Sequence, residues 1–470
     1  MQRRYLLALS LAALGVGCGD DQNTSTESTN TSDLAQSANG NIGINVVLEG
    51  PATPAQLAKL GTYGTVLDQI AEIKGVHMRA KSSQLTSIRA LPFVKAAGPD
   101  TGVMARPVDD PVEVDNFGNG INTWNLDAIN VTQFGSTDRQ VPFDGSGVYV
   151  AILDTGLVPT WRNYFPEERI ASQHARAFGG GGSDKANVSE QPNKWEHDTN
   201  SRGTHVTSTV IGYQMPERKV NGVAPNATII PVKVLNQSAS GFSSVIAHAI
   251  VYITNLKAHL QAPVVISLSF GHPEPDPLEQ AAIDFAVKNG VIVVASAGNQ
   301  GTAGMDFPGA YAPVISAAAS GWVGQWICSG TLSPDWWRIC DVPDPTNPND
   351  FFIDNTSGRR LAGQDLDVAA PGVSIFGPLQ ENMGHLGFGF LSGTGRAAPH
   401  VAGIVALMAQ KRPALTAPQA EAILESSAIQ LPAGSRTVTE SDGTTVIHTW
   451  GTDATGQGLT TADAALAATP

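Results

Sequence analysis

The chain has 470 residues, of which 15% are charged, with 49 glycines and 30 prolines. It is too long for one small core and too loop-rich for a coiled coil or a disordered chain. A net charge of -14 argues against nucleic acid or an anionic membrane surface as a partner.

Residues 1–17 carry Arg3 and Arg4, then an apolar run and small residues, the pattern of an export signal too short to span a bilayer. The segment ends Leu14-Gly-Val-Gly-Cys18, similar to a bacterial lipobox, so Cys18 is the expected lipidation site of a cell-envelope lipoprotein. The alternative is a plain leader and an extracellular protein. Residues 18–42 are almost wholly polar and read as a flexible tether, because nothing there offsets ordering entropy by burial. From 43 to 107 the pattern is that of a small α+β unit, ferredoxin-like in element order. It comprises a strand over 44–48, a helix capped by Thr53 and running to 60, strand character over 66–80, a helix over 82–91 and a strand over 94–97. Residues 108–121 are a linker.

The body, 122–470, has short continuous apolar runs at 148–153, 229–235, 264–268, 291–295 and 314–318. Helical patterns lie at 203–211, 243–259 and 278–289, with two more at 397–410 and 417–427. Strands alternating with helices predict a parallel sheet covered on both faces. Ligands of such sheets bind beyond the carboxyl ends of the strands, where Asp154, Ser269 and Asn299 interrupt the apolar runs. Residues 321–355 hold Trp322, Trp326, Trp336 and Trp337 together with Cys328 and Cys340, and read as a packed insertion. In an oxidising compartment two cysteines this close predict a disulfide rather than a metal site, since two thiolates make an incomplete zinc shell.

Four motifs carry chemistry. Val150-Ala-Ile-Leu-Asp-Thr-Gly156, Arg202-Gly-Thr-His-Val-Thr-Ser208, Ala295-Ser-Ala-Gly-Asn-Gln-Gly301 and Leu391-Ser-Gly-Thr-Gly-Arg-Ala-Ala-Pro-His-Val-Ala-Gly403 appear in that order. Together they resemble the aspartate, histidine, oxyanion and serine segments of the subtilisin-like serine proteases (subtilases). The resemblance implies a three-layer α/β/α fold with a mostly parallel sheet, preceded by the ferredoxin-like unit as an inhibitor-like propeptide. It gives Asp154 the role of orienting carboxylate and Asn299 that of oxyanion donor. Ser240, Gly241, Ser269, Phe270 and Gly271 become the strand edges that bind an extended peptide through its backbone. The implied partners are such a peptide or protein segment and the chain's own propeptide. No metal ligands are assigned, although structural calcium is common in the family.

Two motif positions depart from the family. Arg202 stands where the histidine base belongs, and a guanidinium has no acceptor with which to take a proton. Gly395 stands at the serine. The sequence therefore predicts a proteolytically inactive homologue, a pseudoprotease, that keeps a peptide-binding cleft. Two rival readings accompany it: a working serine endopeptidase, and a structural surface lipoprotein with a blocked cleft.

Overall fold

The computed structural model describes residues 40–105, 108–112, 124–132, 139–182, 187–215, 219–328, 330–332, 342, 346–379 and 387–470. The leader, Cys18 and the tether up to residue 39 lie outside them, as do Trp336, Trp337 and Cys340.

Apolar runs that cannot face water assemble the central sheet. Among the described residues it has nine strands. From one edge their order is Phe351–Ile353, Ile315–Trp322, Ile292–Ser296, Val264–Leu268, Tyr149–Asp154, Thr228–Lys233, Arg176–Gly179 and Ser189–Glu190, and Val368–Pro371 also pairs with Ile315–Trp322. The inner pairings are parallel and the two edge pairings antiparallel. Such strands are buried on both faces, which is why they read as unbroken Val, Ile and Ala. One face packs on the helices Arg202–Ile211 and Thr394–Lys411, the other on Ser243–Leu260 and Pro277–Lys288. The three-layer α/β/α architecture follows.

An N-terminal unit packs on this body. Its four-stranded antiparallel sheet runs Gly64–Ile70, Gly75–Lys81, Asn41–Leu48, Val94–Pro99, around a core that includes Ile44, Val46, Met78 and Ile88. The strand character over 66–80 resolves into two strands, because Ala71–Ile73 turns and Lys74 adopts a left-handed φ of 55°. The helix Pro54–Gly61 begins with a capping box between Thr53 and Gln56, a device worth about 1 kcal/mol.

The disulfide expected between Cys328 and Cys340 lies outside the described residues, because Cys340 is not among them. The backbone of Cys328 falls in a short hairpin, Ile327–Cys328 against Thr331–Leu332. The insertion is packed by its tryptophans: Trp322 and Trp326 are buried, and Trp326 meets Phe390 edge-on at 5.0 Å.

Candidate active site

The strand Tyr149–Asp154 ends on Asp154, which is fully buried. Beside it the helix Arg202–Ile211 begins at Arg202, after Ser201 turns the chain with a φ of 73°. Arg202 Nε lies 3.6 Å from Asp154 Oδ2, and its Nη2 donates to the carbonyl of Ser269. Gly395 is the second residue of the helix Thr394–Lys411. A Cβ there would meet Arg202 Nη2 at 2.3 Å and the Ser269 carbonyl at 2.9 Å. The guanidinium thus fills the space a side chain at 395 would need. Asn299 accepts, through Oδ1, from the Thr394 N–H and hydroxyl, both at 2.9 Å. Asp154, Arg202, Ser269, Asn299 and Gly395 therefore converge at the carboxyl end of the sheet. Nearby, Thr155 donates to Asp198 at 2.8 Å, and burial pushes the Asp198 carboxyl up to about 6.

The expected strand edges lie either side of one extended segment. Gly102–Met104 pairs antiparallel with Ser240–Phe242, matching Ser240 to Met104 and Gly241 to Val103. On its other side Met104 N donates to the Gly271 carbonyl at 3.2 Å and Gly271 N returns the bond at 3.4 Å. Phe270 is buried beneath that edge. Beyond this segment, the strand Val108–Val112 pairs with Phe388–Ser392, which leads into the Gly395 turn.

A second polar group has no local sequence signature. Ser243, at the start of the helix Ser243–Leu260, lies with its Oγ 2.6 Å from Asp276 Oδ2 and 3.1 Å from Asp100 Oδ1. His77 places Nε2 3.8 Å from Asp100 Oδ2 and shares a 2.8 Å hydrogen bond between Nδ1 and Asn45 Oδ1. Asn45 in turn donates to Ser243, Asp100 and Asp276. His77 and Ser243 are thus joined through Asp100 and Asn45. All five side chains are buried between the N-terminal unit and the body. Burial lowers the His77 imidazole, while burial and the Asp100 charge raise Asp276 to about 6. The N–H of Thr101, next to the segment in the cleft, donates to Ser243 Oγ at 3.0 Å.

Asp365, Asp367 and Glu421 form a third group, with one carboxylate oxygen from each lying within 4.8 Å of the others. Asp367 is fully buried, and its Oδ1 has no hydrogen-bond partner among the described residues. Three hard oxygen donors and one orphaned buried oxygen suit a divalent cation such as calcium. The sequence reading allowed for structural calcium and assigned no ligands. It missed these because two lie on a strand approach and the third, 54 residues later, on the helix Ala417–Ser427.

A model described as the Subtilase family matches residues 145–460. A thermostable alkaline protease of Halalkalibacterium halodurans is 27% identical over 79% of this chain and 82% of its own length. Subtilisin DY of Bacillus licheniformis is 31% identical over 62% of this chain and 86% of its own. Among solved structures, fervidolysin from Fervidobacterium pennivorans superposes with a TM-score of 0.62 at 22% identity, over 91% of this chain and 61% of that one. The last likeness concerns the fold.

These findings correct the prediction of a pseudoprotease. Arg202 and Gly395 occupy their motif positions, but they do not leave the chain without the groups of serine-hydrolase chemistry, because Ser243, His77 and Asp100 are present and linked in one buried network. Two motif departures therefore do not make the chain inactive, and similar curated proteins are named as proteases. With its leader-like N-terminus and such relatives, the chain is an exported protein. Matched by the family model over 145–460, with the four motif segments converging at the carboxyl end of its parallel sheet, the chain belongs to the subtilase family.

Proposed function

We propose that this chain is a serine-type endopeptidase that hydrolyses peptide bonds in proteins. The observation that carries this is the match over 145–460 to a family whose similar members are named as proteases. Serine hydrolysis needs a nucleophile, a base, an orienting carboxylate and oxyanion donors. In this reading Ser243 supplies the hydroxyl, His77 the base and Asp100 the carboxylate. For proton transfer His77 must come within hydrogen-bond reach of Ser243, about 2.6–3.2 Å, a contact often made only with substrate bound. Because His77 and Asp100 belong to the N-terminal unit, the group is complete only while that unit stays docked, and a substrate has to reach Ser243 with the unit in place.

The N-terminal unit, 43–107, corresponds to the ferredoxin-like propeptide of the family but remains part of the working protein, since it carries His77 and Asp100, and its last strand, Gly102–Met104, pairs between Ser240–Phe242 and Gly271 as an extended peptide would. Asn299 and the N–H of Gly395 are donors for a peptide carbonyl. Arg202 holds Asp154 and the Ser269 edge in position. Cys18 anchors the chain in the cell envelope.

Casein or chromogenic-peptide turnover by the purified exported protein tests the reading. The wild type should turn over, and Ser243→Ala should lose activity by up to about a millionfold. A silent wild type, or an undiminished Ser243→Ala variant, overturns it.

A further inference from the structure

The hydroxyl of Ser243 is touched by carboxylates and not by the imidazole. Its Oγ lies 2.6 Å from Asp276 Oδ2 and 3.1 Å from Asp100 Oδ1, whereas His77 reaches it only through Asn45. The other hydrogen bonds of this oxygen fix where its proton lies. The N–H of Thr101 donates to Oγ at 3.0 Å and the Asn45 amide donates at 3.1 Å, so both lone pairs are occupied. The one proton that Ser243 carries is therefore donated, and the shorter contact directs it to Asp276. Nucleophilic attack needs that proton to leave, because its departure frees an electron pair on Oγ.

Asp276 is held ready for this transfer. It precedes the helix Pro277–Lys288, and its Oδ1 accepts from the N–H groups of Leu278 at 2.8 Å and Glu279 at 3.1 Å, which turns Oδ2 towards Ser243 and Asn45. Its own N–H donates to the Tyr311 hydroxyl at 2.9 Å, and that hydroxyl donates to the Asp276 carbonyl at 3.0 Å. The titratable groups facing it are Asp100 from the N-terminal unit and His272 and Tyr311 from the body. Burial first, then the Asp100 charge, bring the carboxyl up to about 6, so it is ionised at neutral pH and still basic enough to accept a proton. His77 would have to give up its 2.8 Å bond with Asn45 Oδ1 before it could do the same.

We infer that Asp276 is a catalytic residue, the general base that takes the proton of Ser243. As Oγ bonds to the carbonyl carbon of the scissile peptide, its proton passes to Asp276 Oδ2, and as the C–N bond breaks the same proton goes to the leaving nitrogen. Water then gives a proton to Asp276 while its oxygen bonds to the acyl carbon, and that proton returns to Oγ as the acyl-enzyme bond breaks. The inference rests on the peptidase reading above and changes the residue that accepts the proton, leaving His77 to hold Asn45 in place.

The test compares Asp276→Asn, His77→Gln and Ser243→Ala in the full chain, by kcat and KM on a chromogenic peptide and by the rate of fluorophosphonate labelling as a function of pH. Asparagine also caps helices, so Asp276→Asn should melt near the wild type while losing about 100- to 10,000-fold in kcat with KM little changed. If it unfolds, Asp276→Ser, which caps as well, takes its place. Wild-type kcat/KM and labelling rate should fall as pH drops through about 6. The residual rate of Asp276→Asn should lack that limb, and His77→Gln should keep it and lose less activity than Asp276→Asn. Undiminished turnover in Asp276→Asn, or a larger loss in His77→Gln, overturns the inference and leaves the peptidase reading with His77 as its base. A silent wild type, or an undiminished Ser243→Ala variant, overturns the reading itself and this inference with it.

Discussion

Arg202 and Gly395 fit one another. The guanidinium is held by Asp154 on one side and the Ser269 carbonyl on the other, and any Cβ at 395 meets its Nη2 at 2.3 Å. Gly395→Ala should therefore destabilise the protein by about 1–3 kcal/mol, as overpacking does. In an Arg202→His background the same change should cost much less, because the shorter side chain leaves the space open. Urea unfolding of the two single variants and the double variant measures the coupling, and additive effects would refute the fit. Each residue was legible in the sequence as a motif departure, whereas their packing against one another was not. Ser243, His77 and Asp100 were not legible at all. They come from three segments separated by 23 and 143 residues and meet only when the N-terminal unit docks.

At the scale of elements, the sequence reading worked where apolar periodicity is strong. The helices over 243–259 and 278–289 appear as Ser243–Leu260 and Pro277–Lys288, the latter started by Asp276 accepting from the N–H groups of Leu278 and Glu279. It missed the hairpin Gly434–Thr439 with Thr445–Trp450, whose largely exposed faces give no apolar alternation. It also began the helix Thr394–Lys411 three residues late, because Thr394 and Gly395 are poor helix formers held by tertiary contacts. One buried pair pins an element next to the cleft: His272 Nε2 lies 2.9 Å from Glu279 Oε2, joining the Gly271 edge to the helix Pro277–Lys288. Burial opposes the charge on His272, but the Glu279 carboxylate outweighs it and holds the imidazole up at about 9. A folded-state pKa raised above the ordinary value of about 6.5 gives stability that is complete below that value and lost as pH climbs through 9. The melting temperature should therefore fall between pH 7 and 10, and Glu279→Gln should remove that part of the slope. Glu279→Gln should also cost about 3–5 kcal/mol at neutral pH by leaving a buried charge unpaired. A variant with the parental pH profile would show that the pair does not titrate with folding.

For the molecule as a whole, the three-layer body was readable from alternating strand and helix patterns. The way the N-terminal unit closes over it depended on side chains far apart in sequence. Asp367, Asp365 and Glu421 add an electrostatic cost that a cation would offset. Burial raises Asp367 to about 7, and burial with the Glu425 and Asp365 charges raises Glu421 to about 7. Both carboxyls bind protons more tightly in the folded than in the unfolded chain, so without metal their contribution to stability declines as pH rises from about 4 through 7. Calcium competes with those protons. Millimolar calcium should raise the melting temperature by several degrees at pH 8 and by much less at pH 5, and Asp367→Asn should abolish the difference. An equal shift at both pH values would place any bound calcium elsewhere.

The most direct test of peptidase function is to treat the purified exported protein with a fluorophosphonate and locate the modified residue by peptide mass mapping, with turnover followed on the same sample. Activity should be lost in step with labelling of Ser243, and the Ser243→Ala variant should take no label. A protein that neither labels nor turns over, or one labelled at another serine, would contradict it.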